Sequence, residues 1–194
     1  MASPRDYKNT IVPNWCPGCG DYGIQNAISA VCAKKGWANE DITLISGIGC
    51  SSRIGGYQYC YGAHTTHGRA LPFAQGIKCA NKDQHMIVCS GDGDSYAIGL
   101  GHAMHAIKRN MDITYLVFDN QVYGLTKGQT SPASDKGFVT KTTPDGNPLT
   151  PLDAPAMALA AGATFVAQAY AIDSKTMINV IERAVDHKGF SYVN

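Results

Sequence analysis

Charge of either sign is scarce in this chain, and neither sign dominates. Sixteen Lys and Arg face fifteen Asp and Glu in 194 residues, a formal net charge of +1 with no block of like charge. A nucleic-acid partner is therefore not expected, because gripping a phosphate backbone takes a clustered basic footprint. The opening Met1-Ala-Ser-Pro-Arg-Asp-Tyr-Lys lacks the apolar stretch of an export signal, so the expected compartment is the cytoplasm. Long apolar runs are missing too. The one uncharged stretch of membrane length, Ala154 to Ile172, is interrupted by Pro155, Gly162, Thr164 and Gln168, which excludes a membrane span. Glutamate is the rarest acid, with only Glu40 and Glu182. What the chain does have is 44% apolar residues, enough for one ordinary domain with its own core and too many for intrinsic disorder.

Strand-like and helix-like segments alternate. Asp21 to Lys35 has a helical pattern closed by Gly36, followed by a buried strand at Ile42–Ile45 and a glycine-punctuated loop at Ser46–Ser52. A helix is expected around Ala70–Ala80, a strand at His85–Ser90, and a helix whose inner face carries Leu100, Ala103, Met104 and Ile107. A strand at Ile113–Phe118 comes next, then a long polar loop from Lys127 to Pro151, a strand near Thr164–Gln168, and a helix from Ser174 to His187. Phe190 begins a further strand. This order predicts an α/β fold, an open and mostly parallel sheet with helices on both faces, whose ligands belong at the carboxyl edge of the strands. Residues 1–194 are expected to form a single domain.

Gly91-Asp92-Gly93-Asp94-Ser95 falls where a strand meets a helix. Glycines let backbone approach a ligand, and a helix start offers free N–H groups to phosphate. Asp92 would repel phosphate unless a divalent cation such as Mg²⁺ lay between them. Asn120, twenty-eight residues on, is a second oxygen ligand. A helix of about fourteen residues spans roughly 21 Å and six strand residues return roughly 20 Å, so both side chains should finish at one sheet edge. The alternative is an ordinary turn with Asp94 or Ser95 as a helix cap.

Seven cysteines, an odd number in a cytoplasmic chain, argue against a disulfide framework. Cys32 continues the apolar helix face of Ile24, Ala27, Ile28 and Val31, while Cys60, Cys79 and Cys89 lack ligand-like spacing. Cys16 and Cys19, in Trp15-Cys-Pro-Gly-Cys-Gly20, fit half a zinc site, a redox dithiol or part of an iron–sulfur cluster. Cys50 lies in the glycine-flanked loop after the first strand.

The Gly-Asp-Gly followed by Asn resembles the thiamine diphosphate motif, in which Asp92, Asn120 and the carbonyl of Val122 would hold Mg²⁺. Taken with Cys16-Pro-Gly-Cys-Gly20, Gly47-Ile-Gly-Cys-Ser-Ser-Arg53, Thr66-His-Gly-Arg-Ala70 and Phe118-Asp-Asn-Gln-Val-Tyr-Gly-Leu-Thr-Lys-Gly-Gln-Thr-Ser-Pro132, it resembles the β subunits of the 2-oxoacid:ferredoxin oxidoreductases over almost the whole chain. That resemblance implies oxidative decarboxylation of a 2-oxoacid, 2-oxoglutarate first and pyruvate next, with coenzyme A and with electrons passed through a [4Fe–4S] cluster to ferredoxin. It implies that Ile48, Gly49, Cys50, Ser51 and His67 line the cofactor pocket. Gly91, Asp92, Gly93, Asp94, Asn120, Val122, Gly124, Leu125 and Thr126 would hold the diphosphate and metal. Arg53 would meet the substrate carboxylate and, with His67, serve the reaction; Cys16, Cys19 and Cys50 would ligate the cluster. The family's fourth cysteine lies in a Ser-Pro-Cys segment that this sequence does not reach, so a missing C-terminal part is expected. The glutamate that such enzymes place on the aminopyrimidine ring belongs, by the same resemblance, to the partner α subunit. A non-redox thiamine-dependent decarboxylase or carboligase with zinc at the cysteines, and a non-enzymatic iron–sulfur or nucleotide-binding module, are the alternatives.

Overall fold

The computed structural model describes residues 2–194. Eight strands and five α-helices follow in chain order: α1 (Gly20–Lys35), β1 (Ile42–Ser46), β2 (Tyr61–His64), α2 (Ala70–Ala80), β3 (His85–Gly91), α3 (Leu100–Arg109), β4 (Ile113–Phe118), β5 (Val122–Tyr123), β6 (Gln129–Thr130), α4 (Ala154–Ala160), β7 (Phe165–Ala167), α5 (Ser174–Asp186) and β8 (Phe190–Val193). Six of the strands form one sheet in the order β2-β1-β3-β4-β8-β7. Every pairing in it is parallel, as expected for strands linked by helical crossovers.

Side-chain alternation sorts the core onto two faces. Leu44, Ile87, Cys89, Leu116, Phe118 and Val193 point to one face, where they pack with Ala27, Ile28, Val31 and Cys32 of α1 and Met177 and Ile181 of α5. Ile45, Met86, Val88, Tyr115, Val117, Phe190 and Tyr192 point to the other, against Ala74 of α2, Ala103, Ala106 and Ile107 of α3 and Ala158 of α4. The inner face of α3 is therefore Ala103, Ala106 and Ile107, with Leu100 and Met104 only half buried. The chain runs from β1 outward to β2 and then places β3 on the other side of β1, so the strand order reverses between β1 and β3. Such a switch point leaves a crevice at the carboxyl edge, where loops from neighbouring strands diverge.

Three local features depart from the expected elements. β2 has the exposed sequence Tyr-Gly-Ala-His and no buried stripe, so neither periodicity nor composition marks it as a strand. Within the long polar loop, Gln129–Thr130 pairs with Val122–Tyr123 as a small antiparallel ribbon. Between β3 and α3 the chain makes a π-helical turn at Asp94–Ile98 with no side-chain cap, which removes the helix-cap reading of Asp94 and Ser95. No helix among the described residues is long and apolar enough to cross a membrane.

The turn into β8 is tightly built. Asn110, in the left-handed conformation that ends α3, accepts hydrogen bonds through Oδ1 from Phe190 N (2.8 Å) and Thr164 Oγ1 (2.7 Å). Gly189 sits against them at φ +132°, and a Cβ there would come within 2.7 Å of Asn110 Oδ1. Gly189→Ala is expected to destabilise the chain by about 1–3 kcal/mol in urea denaturation; an unchanged midpoint would show that this turn is soft.

Candidate functional site

The crevice is a cavity of about 420 Å³, within the usual range for a small-molecule site. Its walls come from the loops after three adjacent strands, because the parallel register aligns their ends: Ser46 lies beside Cys89, and Gly91 beside Phe118. The loop after β1 contributes Ile48, Gly49, Cys50 and Ser51, and the turn after β3 contributes Gly91, Asp92, Gly93 and Asp94. Beyond β4 come Asn120, Val122, Gly124, Leu125 and Thr126, and His67 enters from the segment between β2 and α2. All fourteen residues expected to surround a cofactor thus converge on one cavity. Asp21, Phe118, Tyr123 and Gln129 also line it and were not anticipated.

Asp92 is 1% exposed and lies at the foot of the cavity. Burial pushes its carboxyl up to about 6, opposed by a hydrogen bond that Ser131 Oγ donates to Oδ2. Ser131 belongs to a short turn in which Ser134 Oγ accepts from Ser131 N and donates to the carbonyl of Gln121, a residue held at φ +60°. One turn thereby braces both the aspartate and the segment that carries Asn120. Tyr123 closes the opposite side: its hydroxyl donates to the carbonyl of Gly93 (3.2 Å), and a Cβ on residue 93 would overlap its ring. A buried carboxylate on one strand end and an exposed amide oxygen on the next, with glycine backbone between them, can hold a divalent cation and a diphosphate.

Six of the seven cysteines fall into two groups, and the seventh, Cys79, is exposed on α2. Trp15 Nε1 donates to the carbonyl of Cys50 (2.7 Å) and its ring meets Tyr57 edge-on at 4.9 Å, which brings the Cys16–Cys19 segment up to the loop after β1. Cys19 and Cys50 are half buried; burial raises both thiols, with the charges of Asp21 and Cys16 adding to the rise. Cys16 is exposed. Among the described residues no three His, Cys, Asp or Glu side chains are grouped to hold a metal ion, and Cys16, Cys19 and Cys50 are one short of the four thiolates that a [4Fe–4S] cluster takes. The other group is structural. Cys32 and Cys89 are buried and Cys60 packs against them, with burial pushing Cys32 up to about 12 and Cys60 up to about 11. Arg53 is outside the cavity lining: it is exposed on a 3₁₀ turn, its Nε donating to Tyr57 Oη (2.9 Å) and Tyr57 donating in turn to Asn14 (2.7 Å).

The description "Thiamine pyrophosphate enzyme, C-terminal TPP binding domain" fits residues 47–194. The 2-oxoglutarate synthase subunit KorB of Archaeoglobus fulgidus is 44% identical over 194 residues, 99% of this chain and 72% of that one. The chain belongs to the β-subunit family of 2-oxoacid:ferredoxin oxidoreductases. The 2-oxoglutarate oxidoreductase subunit KorB of Mycobacterium tuberculosis is 44% identical over 97% of this chain and 51% of its own length. A solved structure, the 2-oxoglutarate:ferredoxin oxidoreductase of Magnetococcus marinus with 2-oxoglutarate, coenzyme A and succinyl-CoA bound, superposes with a TM-score of 0.98. Its sequence is 44% identical, and the match covers all of this chain and 66% of that one. The chain thus spans between half and three-quarters of the length of these β-type relatives.

Family membership makes the burial of Asp92 testable in the chain itself. Its folded pKa of about 6 lies above the ordinary 3.8. The penalty is therefore absent where the carboxyl is protonated in both states, grows as pH rises from about 4 to about 6, and is constant above that. Asp92→Asn should remove it, making the metal-free chain about 1–3 kcal/mol more stable than the parent above about pH 6. Equal stability of the two at every pH would show that Asp92 is solvated in solution.

Proposed function

We propose that this chain is the thiamine diphosphate-binding part of a 2-oxoacid:ferredoxin oxidoreductase, which oxidatively decarboxylates a 2-oxoacid, 2-oxoglutarate foremost, with coenzyme A and ferredoxin. The observation that carries this reading is the convergence of Asp92, Asn120 and Val122 with Ile48–Ser51 on one cavity at the strand-order switch. In this reading Asp92, Asn120 and the carbonyl of Val122 hold Mg²⁺. Gly91–Asp94 and Gly124–Thr126 surround the diphosphate. Thiamine diphosphate, when bound, supplies the electron sink that decarboxylation requires.

The chain's own residues orient and enclose. Ser131 donates to Oδ2 of Asp92, whose carboxylate would hold the cation, and Tyr123 fixes the Gly93 backbone against the cavity. Arg53 is held through Nε alone; among the described residues its terminal nitrogens make no hydrogen bond, which suits a two-point grip on a substrate carboxylate. Cys16, Cys19 and Cys50 are proposed as three ligands of a [4Fe–4S] cluster whose fourth thiolate comes from outside these residues. Neither glutamate is placed for the aminopyrimidine ring. Glu40 is exposed just before β1, at the opposite sheet edge, and Glu182 on α5 is tied to Lys34 at 2.6 Å and Lys35 at 3.5 Å. The α subunit is proposed to supply that group.

A full-length β chain carrying these residues, mixed with its α subunit, is expected to reduce ferredoxin or a viologen dye in a 2-oxoglutarate-dependent and coenzyme A-dependent reaction. Robust turnover by the β chain alone would overturn the shared site, and no turnover with any 2-oxoacid would overturn the function. In the assembled enzyme Arg53→Ala should raise KM for the 2-oxoacid roughly ten- to a hundredfold, the worth of a charged hydrogen bond. Steady-state kinetics with unaltered KM would leave Arg53 as a surface charge.

A further inference from the structure

Asp94 lines the cavity, yet most of its side chain is engaged away from it. The residue is 3% exposed, and Oδ1 accepts hydrogen bonds from two backbone amides, Ile48 N at 3.1 Å and Gly68 N at 2.7 Å. These amides belong to separate loops, one leaving β1 and one leading into α2. His67 Nδ1 stands 2.7 Å from the same oxygen, off the line of a ring N–H, so the contact is electrostatic rather than an aligned hydrogen bond. Oδ2 is buried with no donor among the described residues and is pressed by the Gly47 backbone, where any Cβ would overlap the carboxylate. The same crowding holds Gly68, on which a Cβ would come within 2.7 Å of Gly99 N beyond the π-helical turn. The turn thus carries Asp94 into the seam between two loops that share no strand.

We propose that Asp94 is a positioning residue: its carboxylate pins the Ile48–Cys50 loop to the His67 loop, and its charge 2.7 Å from Nδ1 keeps the ring proton on that nitrogen, leaving Nε2 for whatever occupies the cavity. A buried carboxylate beside one ring nitrogen disfavours a bare lone pair there and so favours the tautomer protonated at that nitrogen. The assignment of the cavity to thiamine diphosphate supplies the occupant, and the proposal rests on that reading only for what His67 then touches.

The test uses the ¹⁵N-labelled full chain, without cofactor and with thiamine diphosphate plus Mg²⁺. In the parent the His67 ring shifts should report a protonated Nδ1, and the Ile48 and Gly68 amides should exchange slowly. Asp94→Asn keeps an acceptor oxygen for both amides but removes the charge facing the imidazole, so exchange should stay slow while the ring signature changes. Asp94→Ala should speed exchange at both amides roughly ten- to a hundredfold. His67→Ala should leave both amides protected, which separates the loop clamp from the ring. A parent ring protonated at Nε2, or ring shifts in Asp94→Asn identical to the parent, would overturn the proposal, and so would unchanged amide exchange in Asp94→Ala. Should Asp94→Ala fail to fold, the Asn and His67 variants still decide. Failure of the full-length β chain assembled with its α subunit to bind thiamine diphosphate by calorimetry would count against the function while leaving these signatures intact.

Discussion

Two carboxylates two residues apart, Asp92 and Asp94, are buried at the foot of one cavity, and among the described residues neither has a lysine or arginine against it. Burying ionised oxygen without a cation is among the costliest things a fold can do, so the surroundings must answer for it. They answer by hydrogen bonding on three sides. Ser131 reaches Asp92 from the loop beyond β6, while Ile48 and Gly68 give their amides to Asp94. Each donor comes from a different connection, and none would be in reach unless the parallel register brought β1, β3 and β4 to a common edge. The remaining demand, at Asp92, is for positive charge from outside the chain, which the proposed divalent cation would bring.

The same constraint explains why this edge is so poor in side chains. Where Tyr123 lies over residue 93 and the Asp94 carboxylate lies against residue 47, there is no room for a Cβ. Glycine at these positions is a packing requirement as much as a conformational one, and it leaves backbone N–H groups as the surface that a ligand meets. The opposite edge of the sheet needs none of this. There Lys35 pairs with Asp186 at 2.6 Å, and the buried Lys78 donates to the carbonyl of Gln84 at 2.7 Å, so charge is met within the protein.

Much of this was legible from residue order. β1, β3 and β4 are largely apolar runs with turn residues at their ends, the pattern of strands interior to a parallel sheet; the spacing of Asp92 and Asn120 then follows from helix and strand rise. What could not be read were partners supplied by irregular backbone. Ser131 and Ser134 sit in a polar loop whose composition is that of any surface segment, and only the fold returns them to Asp92 and Gln121. Asp21 reads as an acidic residue opening a helix, a favourable place for it, yet it is buried and pushed up to about 6 by that burial. β2 was hidden for a related reason: an edge strand that buries almost nothing has no hydrophobic pattern to display.

The distribution of acids carries the reasoning one step further. A chain with fifteen acidic residues and only two glutamates has few carboxylates long enough to cross an open cavity, and both glutamates are committed elsewhere, Glu182 to the α1–α5 contact and Glu40 to the far end of β1. The acids that do reach the cavity, Asp21, Asp92 and Asp94, are short, buried and on its floor and side wall. Its exposed lining mixes the apolar Ile48 and Leu125 with the polar Asn120 and Thr126. Buried carboxylates with exposed apolar side chains beside them leave hydrocarbon that nothing in this chain covers among the described residues. Exposed apolar side chains around a cavity gain stability when another surface covers them, and that surface is where a longer acid can be placed without being buried in this chain. In the proposed reading that covering surface would belong to the α subunit, set over Ile48 and Leu125 while this chain contributes the buried carboxylates of Asp92 and Asp94.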